Sequence, residues 1–112
     1  MGISTHILDI ATGRPAKQVP VTLSIEKDGS WLNIVVTTTD QDGRCKQLLS
    51  DSFDFSSGTY RIHFDTDAYY VTQGLHGLYP FVEITFTVTN PMQHYHIPLL
   101  LTANGYTTYR GS

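Results

Sequence analysis

The sequence predicts an all-β protein, a sandwich or barrel, folded as one domain over residues 1–112. Three observations predict it. Apolar residues recur with a period of two rather than 3.6 along most of the chain. Turn-forming pairs separate these runs at short intervals, as in sandwiches and barrels. The length of 112 residues, 40% of them hydrophobic, suffices for one modest core. A chain of that size buries roughly 65% of the surface its unfolded form exposes.

The elements follow in order. Residues 4–10 form the first strand, with Ile3, Thr5 and Ile7 on one face and His6, Leu8 and Ile10 on the other. A strand apolar on both faces is covered on both. One sandwich covers only one of them, so the second cover is expected from another subunit. Val19, Val21, Leu23 and Ile25 then alternate with polar neighbours, and Asp28-Gly29 joins them as a short hairpin to a strand carrying Leu32, Ile34 and Val36 on one face. Asp42-Gly43 marks the next turn. Ser56-Ser57-Gly58 precedes the strand of Tyr60, Ile62 and Phe64. Asp65 to Gly74 reads as a short helix opened by Asp65 and Asp67. Val82, Ile84, Phe86 and Val88 make another alternating strand. Asn90-Pro91 leads into residues 93–101, and residues 106–110 form a last, less regular strand.

Composition removes several function classes. The net charge is −3 and the seven Lys and Arg are scattered, so neither nucleic acid nor an anionic membrane is an expected partner. Apolar runs such as Leu99-Leu100-Leu101 fall far short of the ~20 residues a membrane span needs. Cys45 is the only cysteine, which rules out an intrachain disulfide and a Cys-rich zinc site. With no charged-then-apolar leader in view, a cytoplasmic location is expected, and a periplasmic mature form is the alternative.

Chemistry is concentrated in a few side chains. His94 and His96 stand two apart on a strand and share a face. They read as two metal ligands, as a catalytic imidazole beside a bystander, or as polar residues at a solvated edge. His6 reads as a structural or a catalytic imidazole. Arg44, just after the Asp42-Gly43 turn, presents a permanently charged planar fork to an anion, a polarised carbonyl or solvent. The segment Tyr106-Thr107-Thr108-Tyr109-Arg110-Gly111-Ser112 is aromatic and strand-like up to Ser112, which predicts a docked tail rather than a frayed one. Ser112 lacks the Gly-x-Ser-x-Gly elbow of a hydrolase nucleophile. Asp40, Asp42, Asp51 and Asp54 lack the spacing of a calcium loop and read as turn residues.

Three segments together resemble one family. They are His6-Ile7-Leu8-Asp9 with Thr12-Gly13-Arg14-Pro15-Ala16, then Asp42-Gly43-Arg44, then Tyr95-His96-Ile97-Pro98-Leu99-Leu100-Leu101 closing with Tyr106-Thr107-Thr108-Tyr109-Arg110-Gly111-Ser112. In this order they resemble the transthyretin-like family, specifically its 5-hydroxyisourate hydrolase branch, which acts in urate breakdown. The resemblance runs from residue 3 to residue 112. It departs at Ile97, where Val is common, and at Thr102, where Ser is common. It implies a two-sheet β-sandwich with one short helix. It implies a homotetramer whose sites lie at subunit interfaces along a central channel. By the same resemblance His6, Arg44 and His96 are catalytic, and Tyr109, Arg110, Gly111 and Ser112 bind the substrate, 5-hydroxyisourate. The family's hormone-carrier branch lacks this set. No metal and no cofactor is implied, and His94, outside the motif, is a bystander or helper.

Overall fold

A computed structural model describes residues 2–112. It contains strands β1 (Gly2–Asp9), β2 (Arg14–Pro15), β3 (Pro20–Lys27), β4 (Ser30–Thr38), β5 (Arg44–Cys45) and β6 (Gly58–Phe64), helix α1 (Thr66–Val71), and strands β7 (Val82–Val88), β8 (His94–Thr102) and β9 (Gly105–Thr108). They make the expected all-β sandwich of two sheets. One sheet runs β4-β3-β6-β7, and the other runs β2-β1-β8-β9 with β5 also paired to β1. The first sheet is antiparallel throughout. The second has one parallel pair, β1 with β8, which joins the two ends of the chain.

The alternating residues explain the core. Ile3 and Ile7 of β1, Val21 and Leu23 of β3, Tyr60, Ile62 and Phe64 of β6, and Leu99 of β8 are all sealed between the sheets. Burial of such side chains is worth about 1.5–3 kcal/mol each relative to exposure. The outer face of β1 is different. His6 and Leu8 are half-buried and Ile10 is exposed, so no second layer of this chain covers them.

Strand β4 departs from the sequence expectation. Leu32, Ile34 and Val36 do not share a buried face, since Leu32 is 57% and Val36 69% exposed. A bulge opposite Leu23 and Ser24 pairs Val35 with Leu23 and Asn33 with Ser24. The extra residue turns Ile34 and Val35 together toward the core. At its end, Lys27 pairs with Ser30 across Asp28 and Gly29, which both have positive φ, as a type I′ hairpin requires.

Helix α1 is capped by Asp65, whose side chain accepts from the Ala68 N–H at 3.1 Å. Tyr69 and Tyr70 face the interior. The Tyr69 hydroxyl donates to Oδ2 of Asp9 at 2.7 Å, and Oδ1 of Asp9 accepts from the N–H groups of Ala11 and Thr12. This buried carboxylate ties the helix to the turn between β1 and β2. A charge-assisted bond of this kind contributes about 1.5–3 kcal/mol. Tyr69→Phe is therefore expected to lower unfolding stability by that order. A urea midpoint equal to the parent's, with an unchanged slope, would show that the tie is not needed.

Candidate active site

Strand register assembles the candidate residues. In the β1–β8 ladder Ser4 stands beside His96 and His6 beside Pro98. In the β1–β5 pair His6 stands beside Arg44. Ile3, Thr5 and Ile7 point into the core, so Ser4 and His6 belong to the outer face of the sheet. On β8, Tyr95 and Ile97 point inward, leaving His94 and His96 on that same outer face.

Arg44 is presented by a tight turn. Oδ1 of Asp40 accepts from the N–H groups of Asp42 and Arg44, both at 2.9 Å. Donation from the Arg44 amide is also the main reason the Asp40 carboxyl titrates below its ordinary range. Gly43 has φ +73°, and a Cβ there would lie 2.5 Å from the Ile7 carbonyl oxygen. Its own carbonyl accepts from the Ile7 N–H at 2.8 Å. Glycine is thus required both for the left-handed backbone and for close approach to β1. None of the ion pairs among the described residues involves Arg44.

The tail is docked, as expected. Thr108 Oγ1 donates to the Pro98 carbonyl at 2.8 Å, and Gly111 N–H to the His96 carbonyl at 2.8 Å. Between them the β8–β9 ladder lapses opposite Pro98, which has no N–H to give. Arg110 anchors the tail. Its Nη2 donates to Gln93 Oε1 at 3.1 Å and to the His94 carbonyl at 3.4 Å, and its guanidinium lies 4.2 Å from the Tyr95 ring centre.

A depression of about 240 Å³ opens on this face, lined by Ser4, Thr5, Arg44, Lys46, His94, His96 and Ser112. Its volume suits a small molecule of heterocycle size. His6 is not among its lining residues; it stands beside Arg44 in the β1–β5 register. Tyr109 and Arg110 line a separate depression of about 290 Å³ at the open side of the sandwich, with Phe86 and Tyr95. A roomier hollow of about 530 Å³ between β2 and α1 holds Arg14 and Lys17 and contains no histidine. Among the described residues, no group of three or more His, Cys, Asp or Glu side chains is arranged to hold a metal.

Ser4 and Lys46 were not singled out in the sequence. Period-two spacing was the available signal, because Ser4 precedes His6 by two and Lys46 follows Arg44 by two. Ser4 is nearly sealed, at 6% exposure. Its Oγ lies 2.7 Å from His94 Nε2 and 2.7 Å from His96 Nδ1.

The surroundings of His6 and His96 favour their neutral forms. Burial, then the Arg44 charge, holds His6 below its ordinary value, while a hydrogen bond to the Asp42 backbone works the other way. Burial, then Arg44, His6 and His94, lowers His96. The sign of the stability effect follows. As pH falls from about 6.5, the unfolded chain takes up these protons before the folded one does, so folding weakens. Unfolding stability measured at pH 7 and pH 5 should fall at the lower pH. Replacing both His6 and His96 by Asn should remove part of that fall, and an identical fall in the double variant would contradict the assignment.

The arrangement offers the His96 imidazole, the Arg44 cation and the Ser4 and Ser112 hydroxyls around one small cavity, with His6 beside Arg44. That set suits addition of water to a polarised carbonyl. Comparison with known proteins bears on which carbonyl. The model of the HIUase/Transthyretin family matches residues 3–111. The 5-hydroxyisourate hydrolase of Mus musculus is 43% identical over 112 residues, covering 98% of this chain and 94% of that protein. The structure of Klebsiella pneumoniae 5-hydroxyisourate hydrolase superposes with a TM-score of 0.86 at 32% identity, covering all of both chains. Sea bream transthyretin in complex with thyroxine superposes with a TM-score of 0.91 at 33% identity, covering 99% of this chain and 95% of that one.

Proposed function

The chain belongs to the HIUase/Transthyretin family, and from that premise we propose that it is a 5-hydroxyisourate hydrolase that works without a metal. The observation that carries the reading is the convergence of His96, Arg44 and Ser112 on one cavity, with His6 paired to Arg44 in the adjoining strand register. The hydrolase relatives give the substrate.

The reaction adds water to a cyclic amide carbonyl and opens the six-membered ring. The product is a ureidoimidazoline that carries the new carboxylate. Water must lose a proton, the carbonyl oxygen must be stabilised as it gains charge, and the leaving nitrogen must gain a proton. A neutral imidazole takes the proton from water, which general-base catalysis makes worth about 10²–10⁴ in rate. His96 fits this role because Ser4 holds its Nδ1 and leaves Nε2 for water. His6, beside Arg44 across the β1–β5 pair, orients the attacking water, and the proton taken up by His96 returns to the leaving nitrogen. Arg44 stabilises the oxyanion and then the carboxylate. Ser112 hydrogen-bonds the ring edge. Tyr109 and Arg110 complete the substrate site from a neighbouring chain in a homotetramer, a reading supported by the uncovered outer face of β1. No helix among the described residues is long and apolar enough to cross a membrane. The free buried Cys45 thiol is in keeping with a cytoplasmic location.

A carrier reading is favoured by the likeness to thyroxine-bound transthyretin. Hydrolysis of 5-hydroxyisourate and binding of thyroxine, measured side by side, separate the two. The hydrolase reading predicts turnover that survives exhaustive chelation. Thyroxine binding without turnover would replace it.

Gly111 gives a sharper check. A Cβ at this position would lie 2.5 Å from His96 Cδ2 and 3.3 Å from Pro98 Cγ. Gly111→Ala is expected to displace His96 or the tail and to lower kcat by about tenfold or more, while the core is untouched. Wild-type kcat in this variant would show that the tail need not sit against the imidazole.

A further inference from the structure

We infer that Ser4 and His94 form a proton relay that carries the proton taken up by His96 to the protein surface. The inference rests on the hydrolase reading above and deepens it. Its basis is the bridging position of the Ser4 hydroxyl, 2.7 Å from a ring nitrogen on each side. A hydroxyl has one proton to donate. Ser4 Oγ has no third hydrogen-bond partner among the described residues, so when both imidazoles are neutral its O–H is given to one of them and the other donates to it. If Ser4 donated to His96 Nδ1, the His96 proton would sit on Nε2, the nitrogen that has to receive a proton from water. The productive arrangement is the reverse. His96 Nδ1–H donates to Ser4 Oγ, and Ser4 O–H donates to His94 Nε2. His96 Nε2 then carries a free lone pair.

The step balances. Water gives a proton to His96 Nε2 as its oxygen forms the new C–O bond. The Nδ1 proton of His96 passes to Ser4 Oγ, and the Ser4 proton passes to His94 Nε2. His96 ends neutral with its proton on Nε2, Ser4 is unchanged, and His94 carries the positive charge. Reversal of the same transfers resets the tautomers or returns a proton for the leaving nitrogen.

Charge gives the relay its direction. His96 is half-buried and lies near Arg44 and His6, both of which disfavour its cation. Within the chain His94 is more exposed than His96, so a charge moved there is less desolvated. The other groups facing the relay are Lys46 just after β5, Ser112 and Arg110 from the tail, and Asp40 and Asp42 on the turn beside His6. Ser4 and His94 are thus positioning residues that act through His96.

The test uses Ser4→Ala, His94→Asn and the double variant in the full chain, with circular dichroism to check folding. Ser4→Ala is expected to lower kcat by about 10- to 100-fold, to leave KM within about twofold, and to shift the acid limb of the pH profile. His94→Asn should lower kcat by less. The double variant should be no slower than Ser4→Ala, because the chain of transfers is already cut. Nitrogen-15 spectra of the histidine rings should show His96 protonated at Nδ1 in the parent and the His96 and His94 titrations coupled. Loss of that coupling is expected in Ser4→Ala. Parental kcat with an unmoved acid limb in Ser4→Ala would overturn the relay, as would a His94→Asn effect that persists undiminished in the Ser4→Ala background. Should Ser4→Ala not fold, parental kcat in His94→Asn overturns it alone. A parent without turnover would end the hydrolase reading instead, and the ring spectra would still decide whether the relay exists.

Discussion

His96→Ala should lower kcat on 5-hydroxyisourate by about 10²–10⁴-fold, with circular dichroism and urea midpoint close to those of the parent. His96 is half-buried on the outer face of its sheet and contributes nothing to the sealed core. Its loss removes the nitrogen that takes the proton from water. The Gly111 N–H bond goes to the His96 backbone carbonyl, which the substitution keeps, so the tail stays docked. KM should change little, since the imidazole acts mainly in the transition state. Near-parental turnover would take His96 out of the mechanism. A large loss of stability alongside the loss of rate would make its role structural.

Arg44→Ala carries the second large effect. Removal of a positioned oxyanion donor typically costs about 10²–10³ in kcat. The backbone bonds that hold the turn run to the Arg44 amide and carbonyl, not to the guanidinium, so the loop should keep its shape. The guanidinium also holds His6 and His96 down. Its removal should therefore raise both histidines toward their ordinary value and move the acid limb of kcat/KM to higher pH. A purely structural arginine would not move that limb. Arg44→Lys keeps the charge and loses the fork. It should restore the position of the limb more fully than the rate. An Arg44→Ala enzyme that is slow with an unshifted acid limb would separate the residue from the histidines.

Most of the sandwich was legible because strand alternation is a local property. Val21, Leu23, Tyr60, Ile62 and Phe64 each sit on the face their spacing assigned. Strand β4 was not legible, because its inward residues depend on a bulge that is set by pairing with β3. The Asp65 cap marked the helix. The tie from Tyr69 to Asp9 links residues 60 apart and leaves no local pattern. At the site, the motifs singled out His6, Arg44 and His96. The bridge from Ser4 to His94 and His96 was hidden, because it follows from the parallel register of β1 with β8, across about 90 positions of sequence. Tyr109 and Arg110 bear the same lesson: their motif names them, yet within one chain they face a different hollow from His96.

The most direct test adds the purified protein to freshly oxidised urate and follows the decay of 5-hydroxyisourate optically. The account predicts that the intermediate disappears far faster than in buffer alone, in proportion to protein concentration, with chelator present throughout. Decay at the buffer rate, with protein that is folded, would contradict it.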